Sequence, residues 1–170
     1  MSDLSLTILA ETASDALPIE RLHQRTFGPG RFALSAYRLR EHVDHLLELS
    51  FTARIGTLLV GSVRQLPICI GDTKALLLGP LTVEPPFRSR GVGRALLDRA
   101  LKDARAKGHG LVLLVGDEAY YRRVGFKPVP KGRMTMPGPV DYSRLLVAEL
   151  VEGAFTDVSG LIRPDWSMAK

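Results

Sequence analysis

TVEPPFRSRGVGRALLDRA, residues 82–100, decides how this chain is read. Two prolines close an apolar run, and Arg88, Arg90 and Arg94 then alternate with Gly91 and Gly93 ahead of a helical pattern. Val92, Leu96 and Ala100 step by four, with Leu97, Leu101 and Ala104 beside them, while arginine, lysine and aspartate fill most of the remaining surface. The start of such a helix offers unpaired N–H groups and a dipole that favours anions. Gly91 and Gly93 let a ligand approach the backbone, and the arginines can match phosphate oxygens. A solvated turn accounts for the same residues, so the glycine pattern alone leaves both readings open. Two familiar phosphate cradles fit badly: Leu96 stands where a dinucleotide fingerprint needs a third small residue, and the Gly-Lys-Ser/Thr ending of a P-loop is missing.

Working outward, the apolar runs before this segment read as strands. LSFTA, residues 49–53, stops at RIG; TLLVGSVRQLPICI, 57–70, stops at Gly71-Asp72; KALLLGPLTV, 74–83, stops at the prolines. Gly71-Asp72 is a hairpin signal, so the last two runs are expected as antiparallel neighbours, with Pro67 marking an edge or a strand end. LVLLVG, 111–116, is a continuous apolar strand of the kind covered on both faces. Strand, glycine-rich connection, helix and strand make one α/β crossover within otherwise antiparallel pairing. At the N-terminal side, LTILAE (6–11) reads as a strand and a helix starts at Asp15, with Ile19, Leu22 and Phe27 on one side until GPGR (28–31). A second helix is expected over 35–47, its stripe made by Leu39, Val43, Leu46 and Leu47. Asp117 is placed to cap a short helix closed by Gly125, and 141–150 is ambiguous between strand and helix.

Composition bounds the function. The 170 residues, 45% hydrophobic and 24% charged, suit a single globular domain, with the part beyond residue 150 the least defined. A net charge of +5 is compatible with an anionic partner, but nucleic acid is disfavoured because no basic block appears and aromatics are few. Cys69 is the only cysteine, which excludes an intrachain disulfide and a cysteine-cluster metal site and suits a buried thiol. The four histidines, His23, His42, His45 and His109, show no metal-ligand spacing and read as surface or packing residues. With no signal-peptide pattern and no apolar run near membrane-spanning length, a cytoplasmic protein is the default expectation.

RSRGVGRAL (88–96) together with AYYRRVGF (119–126) resembles the GCN5-related N-acetyltransferase (GNAT) family. The longer stretches LLLGPLTVEPPFRSRGVGRALL (76–97) and LVLLVGDEAYYRRVGFKPV (111–129) look closest to its YhbS-like branch. The resemblance implies an α/β fold with a central, strongly twisted mixed sheet, splayed parallel strands and flanking helices, and it favours strand for 141–150. It implies acetyl-CoA, or another acyl-CoA, as co-substrate and no metal. Arg88, Gly91 and Gly93 occupy the defining positions of the pyrophosphate segment, whose backbone runs through Ser89, Arg90, Val92 and Arg94. Leu81, Thr82 and Val83 would lie beside the acetyl-pantetheine arm, with Gly79 and Pro80 as the bulge that starts the splay.

By the same resemblance Tyr121 is the donor to the leaving thiolate, with Tyr120 a weaker contributor. Glu84, just past a strand end, is a candidate base, and Asp117 a polar contributor whose short side chain equally suits capping. A water relay would leave no side-chain base to find. The acceptor is expected to be a primary amine of a small molecule or peptide, bound between the early helices and residues 131–142, where Met134 and Met136 could line an apolar pocket. A homodimer is a family expectation that no stripe in this sequence specifies. The alternative to an N-acyltransferase is a non-catalytic acyl-CoA-binding or protein-interaction module on the same fold.

Overall fold

The computed structural model describes residues 5–27, 38–41 and 43–168. Its backbone is a mixed sheet built from β1 (Leu6–Ala10), β2 (Phe51–Ile55), β3 (Leu58–Ile70), β4 (Thr73–Val83), β5 (Leu111–Val115), β8 (Leu145–Glu149) and β6 (Lys127–Pro128), in that spatial order. Two further strands, β7 (Met134–Thr135) and β9 (Gly160–Pro164), join through β9, which pairs with the far end of β3. The α-helices among the described residues are α1 (Ala16–Phe27), α2 (Val92–Ala106) and the short α3 (Glu118–Tyr121), accompanied by short 3₁₀ turns. All main-sheet pairs are antiparallel except β4 and β5, which the α2 crossover makes parallel. This is the expected mixed α/β architecture. Asp141 opens a turn by accepting from Ser143 N at 3.0 Å, after which the chain extends as β8, so the ambiguous segment is a strand.

The sheet separates two apolar layers. On one side α2 presses Val92, Leu96, Leu97, Ala100 and Ala104 against β2, β3, β4 and β5. Gly61 permits this approach: a Cβ there would stand 3.0 Å from Leu96 Cδ1 and 3.1 Å from the Thr82 carbonyl oxygen. Gln65, fully buried, crosses the layer and donates to the Leu49 and Ala100 carbonyls at 2.8 and 3.1 Å. The other layer holds Leu39, Val43, Leu66, Ile68, Leu113, Met134, Met136, Phe155 and Ile162. Met134 and Met136 therefore pack in the core and do not line an acceptor pocket, a correction to the reading from sequence.

Two further expectations change. The helix expected over 35–47 does not continue through its described part: Leu46 N donates to the Gln65 carbonyl at 2.8 Å, and a single 3₁₀ turn follows at Leu47–Leu49. Pairing to β3 outcompetes helical hydrogen bonds there, leaving Leu39 and Val43 buried and Leu47 exposed. Residues 28–37 and 42, which include GPGR and His42, lie outside the described residues. Pro67 is inside β3, opposite Leu76, and is neither at an edge nor at an end. β2 accompanies β3 only up to Val63 and β9 takes over from Ile68, so the missing N–H falls where β3 changes partner.

Candidate active site

The parallel β4–β5 ladder is brief. It pairs Leu76 with Val112 and Leu77 with Leu113, after which β4 runs on to Val83 without β5 beside it. The parting coincides with a bulge in β4: Val63 faces Leu81 and Gln65 faces Leu78, so Gly79 and Pro80 together oppose Arg64. Beyond this point no strand among the described residues pairs with the β5-facing edge of β4. A cleft of about 1680 Å³ fills the opening, walled by Leu77 to Leu81 of β4, by Leu114 and Val115 of β5 and by Gly116 just after it. Glu20, His23 and Phe27 of α1, with Arg40 to His45 excluding residue 42, close one side, and residues 139–141 with Arg144 close another.

At one end of the cleft the chain turns into α2. Ser89 and Gly91 both have positive φ, 64° and 82°, so the backbone folds tightly ahead of the helix. Gly91 is the N-cap and no side chain caps it, which leaves the first amides of α2 pointing out of the turn without protein acceptors from a cap. The arginine side chains take separate positions. Arg88 lines the cleft and donates from Nε to the Val83 carbonyl at 3.2 Å; Arg90 lies over the Phe87 ring at 5.7 Å; Arg94 runs along the helix to Asp98 at 2.9 Å. The charge match anticipated for Arg94 is thus shared with a carboxylate. Leu81 lines the cleft, Val83 is partly buried, and Thr82 is buried on the opposite face with no partner for its hydroxyl.

The wall opposite β4 carries the tyrosines. Asp117 accepts from Ala119 N at 3.1 Å and so caps α3, as its position suggested, while still bordering the cleft. Tyr120 and Tyr121 both line the cleft, their rings edge to face with centroids 4.9 Å apart, and Tyr121 packs in turn against Phe126 at 5.9 Å. Two glycines make room for them. A Cβ on Gly93 would meet Tyr120 Oη at 2.5 Å, and one on Gly116 would meet Tyr121 Cε2 at the same distance. Burial, reinforced by Tyr120 and Asp117 against the opposing pull of Arg144, pushes the Tyr121 hydroxyl up to about 12. It is therefore a phenol throughout the neutral range.

Glu84 is not brought into the cleft wall. Its carboxylate accepts a hydrogen bond from Arg25 of α1, which ties the end of β4 to that helix. A carboxylate does line the other side indirectly. Glu11, at 4% exposure, accepts from Arg64 Nε at 2.9 Å and is bonded to His45 Nε2 at 2.5 Å, and both partners line the cleft. Burial raises the Glu11 pKa, but the bonds from His45 and Arg64 outweigh it and hold the carboxyl below its ordinary range. The sequence gives no sign of this cluster: Glu11, His45 and Arg64 are far apart along the chain and follow no motif spacing. Among the described residues no group of three or more His, Cys, Asp or Glu could hold a metal ion, and no helix is long and apolar enough to cross a membrane.

A mixed sheet whose two parallel strands part beside a glycine-opened helix start is the arrangement that the resemblance to the GNAT family implied. A model of the acetyltransferase (GNAT) domain matches residues 48–128, and the chain belongs to the GNAT family, in its YhbS-like branch. It is 28% identical over 159 residues to the uncharacterized N-acetyltransferase YhbS of Escherichia coli K12, covering 92% of this chain and 95% of that one. Over 119 residues it is 31% identical to the uncharacterized N-acetyltransferase YjhQ of the same organism, 68% of this chain and 66% of that one. The crystal structure of E. coli YhbS in complex with CoA superposes with a TM-score of 0.81 at 25% identity, over 98% of this chain and 93% of that one.

Proposed function

We propose that the protein is an N-acyltransferase that moves an acetyl group from acetyl-CoA directly to a primary amine. The observation that carries this reading is that the open β4 edge and the partly buried, neutral Tyr121 line one cleft, which Arg88 borders just ahead of the uncapped start of α2. The CoA-bound relative, similar over nearly the whole chain, supports the same ligand here. The amides between Arg88 and Arg94 suit the pyrophosphate, because a helix start without a side-chain cap leaves donors for anionic oxygens. The edge of β4 from Leu81 to Val83 suits the amide-rich pantetheine arm, and an N–H there would meet negative charge developing on the thioester oxygen.

Tyr121 has the protonation state the reaction asks of an acid. Tyr121 lines the cleft and stays a neutral phenol at physiological pH, a state in which it can return a proton to the sulfur as the C–S bond breaks. Tyr120, with its hydroxyl over Gly93, is assigned packing across the motif. Glu84 is given no role as base, since its carboxylate is engaged by Arg25.

The test is release of free CoA from acetyl-CoA in the presence of benzylamine, glucosamine, spermidine and an alanyl tripeptide, with wild type and Tyr121→Phe. Turnover with at least one amine, and a drop in kcat of about 100-fold or more in the variant at unchanged acetyl-CoA affinity, is the expected result. Equal kcat would remove the acid role. Tight acetyl-CoA binding without turnover of any amine would favour a binding module over an enzyme.

A further inference from the structure

The reaction needs a group to take a proton from the attacking amine, and the two carboxylates that the sequence singled out are engaged: Glu84 by Arg25 and Asp117 by the Ala119 amide. The opposite wall holds a better arrangement. Glu11 is buried just past β1, its Oε1 takes the Arg64 Nε at 2.9 Å and its Oε2 the His45 Nε2 at 2.5 Å. Arg64 also reaches Oε2, at 3.4 Å, from Nη2. Arg64 stands opposite the Gly79–Pro80 bulge, so this cluster lies at the level where β4 and β5 part. His45, 23% exposed at its side chain, faces the same cleft as Leu81 and Tyr121.

An ionised carboxylate can only accept, so Nε2 of His45 carries a hydrogen toward Glu11, and Nδ1 is the ring nitrogen through which the imidazole can exchange a proton with the cleft. This is the arrangement in which a buried acid fixes the tautomer of an imidazole and stabilises the cation it becomes. We propose that His45 is the general base that takes a proton from the acceptor amine, and that Glu11 is the positioning residue that holds it. The inference rests on the acyl-transfer reading above.

In the step, the acceptor enters as an ammonium and His45 Nδ1 removes one proton, freeing the nitrogen lone pair. That pair forms the C–N bond to the thioester carbonyl carbon, and the C–S pair leaves on sulfur. Tyr121 gives its phenolic proton to the thiolate and is reprotonated, through solvent, by the second proton shed from nitrogen. The products are an amide and the free thiol, and His45 passes its proton to solvent, one released per turnover.

The experiment measures turnover with acetyl-CoA and the fastest amine of the panel above, in wild type, His45→Ala, His45→Gln, Glu11→Gln and Tyr121→Phe. His45→Ala and His45→Gln should lose about 100-fold in kcat while binding acetyl-CoA as wild type does, and added imidazole should restore a measurable part of the activity of His45→Ala but none of Tyr121→Phe. Glu11→Gln should lower kcat more than it changes the KM for acetyl-CoA. ¹⁵N NMR of the folded wild type should show His45 as the Nε2–H tautomer, and that preference should be lost in Glu11→Gln. His45 variants with wild-type kcat, or no imidazole rescue of a folded His45→Ala that binds acetyl-CoA, would overturn the base assignment and leave the acyl-transfer reading intact. Absence of wild-type turnover with every amine would overturn both.

Discussion

At the scale of single residues, the site is organised by what glycine leaves out. Gly116, at the end of β5, lies so close under the Tyr121 ring that a methyl group would stand 2.5 Å from Cε2 and 3.0 Å from Cδ2. Tyr121 cannot yield easily, because its other edge rests on Phe126. Gly116→Ala should therefore displace the tyrosine and reproduce most of the kcat loss of Tyr121→Phe, with destabilisation of about 1–3 kcal/mol by urea unfolding. A variant with full activity would show that Tyr121 is not held where the account needs it. The matching contact at Gly93 is softer, since only the tip of the half-exposed Tyr120 is met there.

Among elements, the strand edge at β1 depends on charge. Glu11 joins the end of β1 to β3 through Arg64, and Asp15 joins the start of α1 to β2 through Arg54 at 2.8 Å. In both, burial raises the carboxyl pKa but hydrogen bonds more than offset it: Asp15 to Thr12 and Arg54, Glu11 to His45 and Arg64. A carboxyl held below its unfolded value stabilises the fold above that value, and the stabilisation is lost as pH falls through the folded one. The ordinary values of 4.5 for a glutamate and 3.8 for an aspartate place the start of the loss at about pH 5. Wild type should lose stability from there downward, and Glu11→Gln, which keeps the shape but weakens hydrogen bonds to a charged group, should be the weaker at pH 7 by about 1.5–3 kcal/mol with a gap that narrows toward pH 3. Urea midpoints across that range check this; a gap that is constant or widens would contradict it.

The same scale shows what the sequence could say. The α2 stripe, the Gly71 turn, the crossover and the Asp117 cap were legible because each depends on neighbours a few residues away. The bulge at Gly79 and Pro80 was expected through the resemblance to the GNAT family, and it falls on two residues that are poor at continuing a ladder. The 38–47 segment was misread because its apolar residues do reach the core, but a backbone bond to Gln65 decides its conformation. Glu84 and Arg94 looked free because Arg25 is remote in sequence and Asp98 equally satisfies a helical surface pattern. The pairing of Glu11 with His45 and Arg64 had no local sign at all, being created wholly by β1, β3 and the segment before β2 coming together.

For the whole molecule, the tail is structural. Residues after Leu150 supply β9, which extends the sheet where β2 ends, and bring Phe155, Val158 and Ile162 into the layer opposite α2. Arg133 fastens this region, donating to the Val158 and Phe155 carbonyls at 2.9 and 2.8 Å while its guanidinium lies 4.1 Å from the Phe155 ring centroid. Removing residues 151–170 should uncover that layer and give a chain that is unfolded or aggregates, visible as a lost cooperative melt by circular dichroism. A truncated protein with an unchanged melting temperature would show the tail to be dispensable.

The central claim is that one cleft binds the whole donor: pyrophosphate at the start of α2, pantetheine along the open edge of β4, sulfur at Tyr121. A crystal structure of the protein with acetyl-CoA tests it most directly. Phosphate oxygens are expected within hydrogen-bonding distance of amides between Ser89 and Arg94, and the thioester sulfur within reach of Tyr121 Oη. Acetyl-CoA seated elsewhere, or lying in the cleft with its sulfur remote from Tyr121, would contradict it.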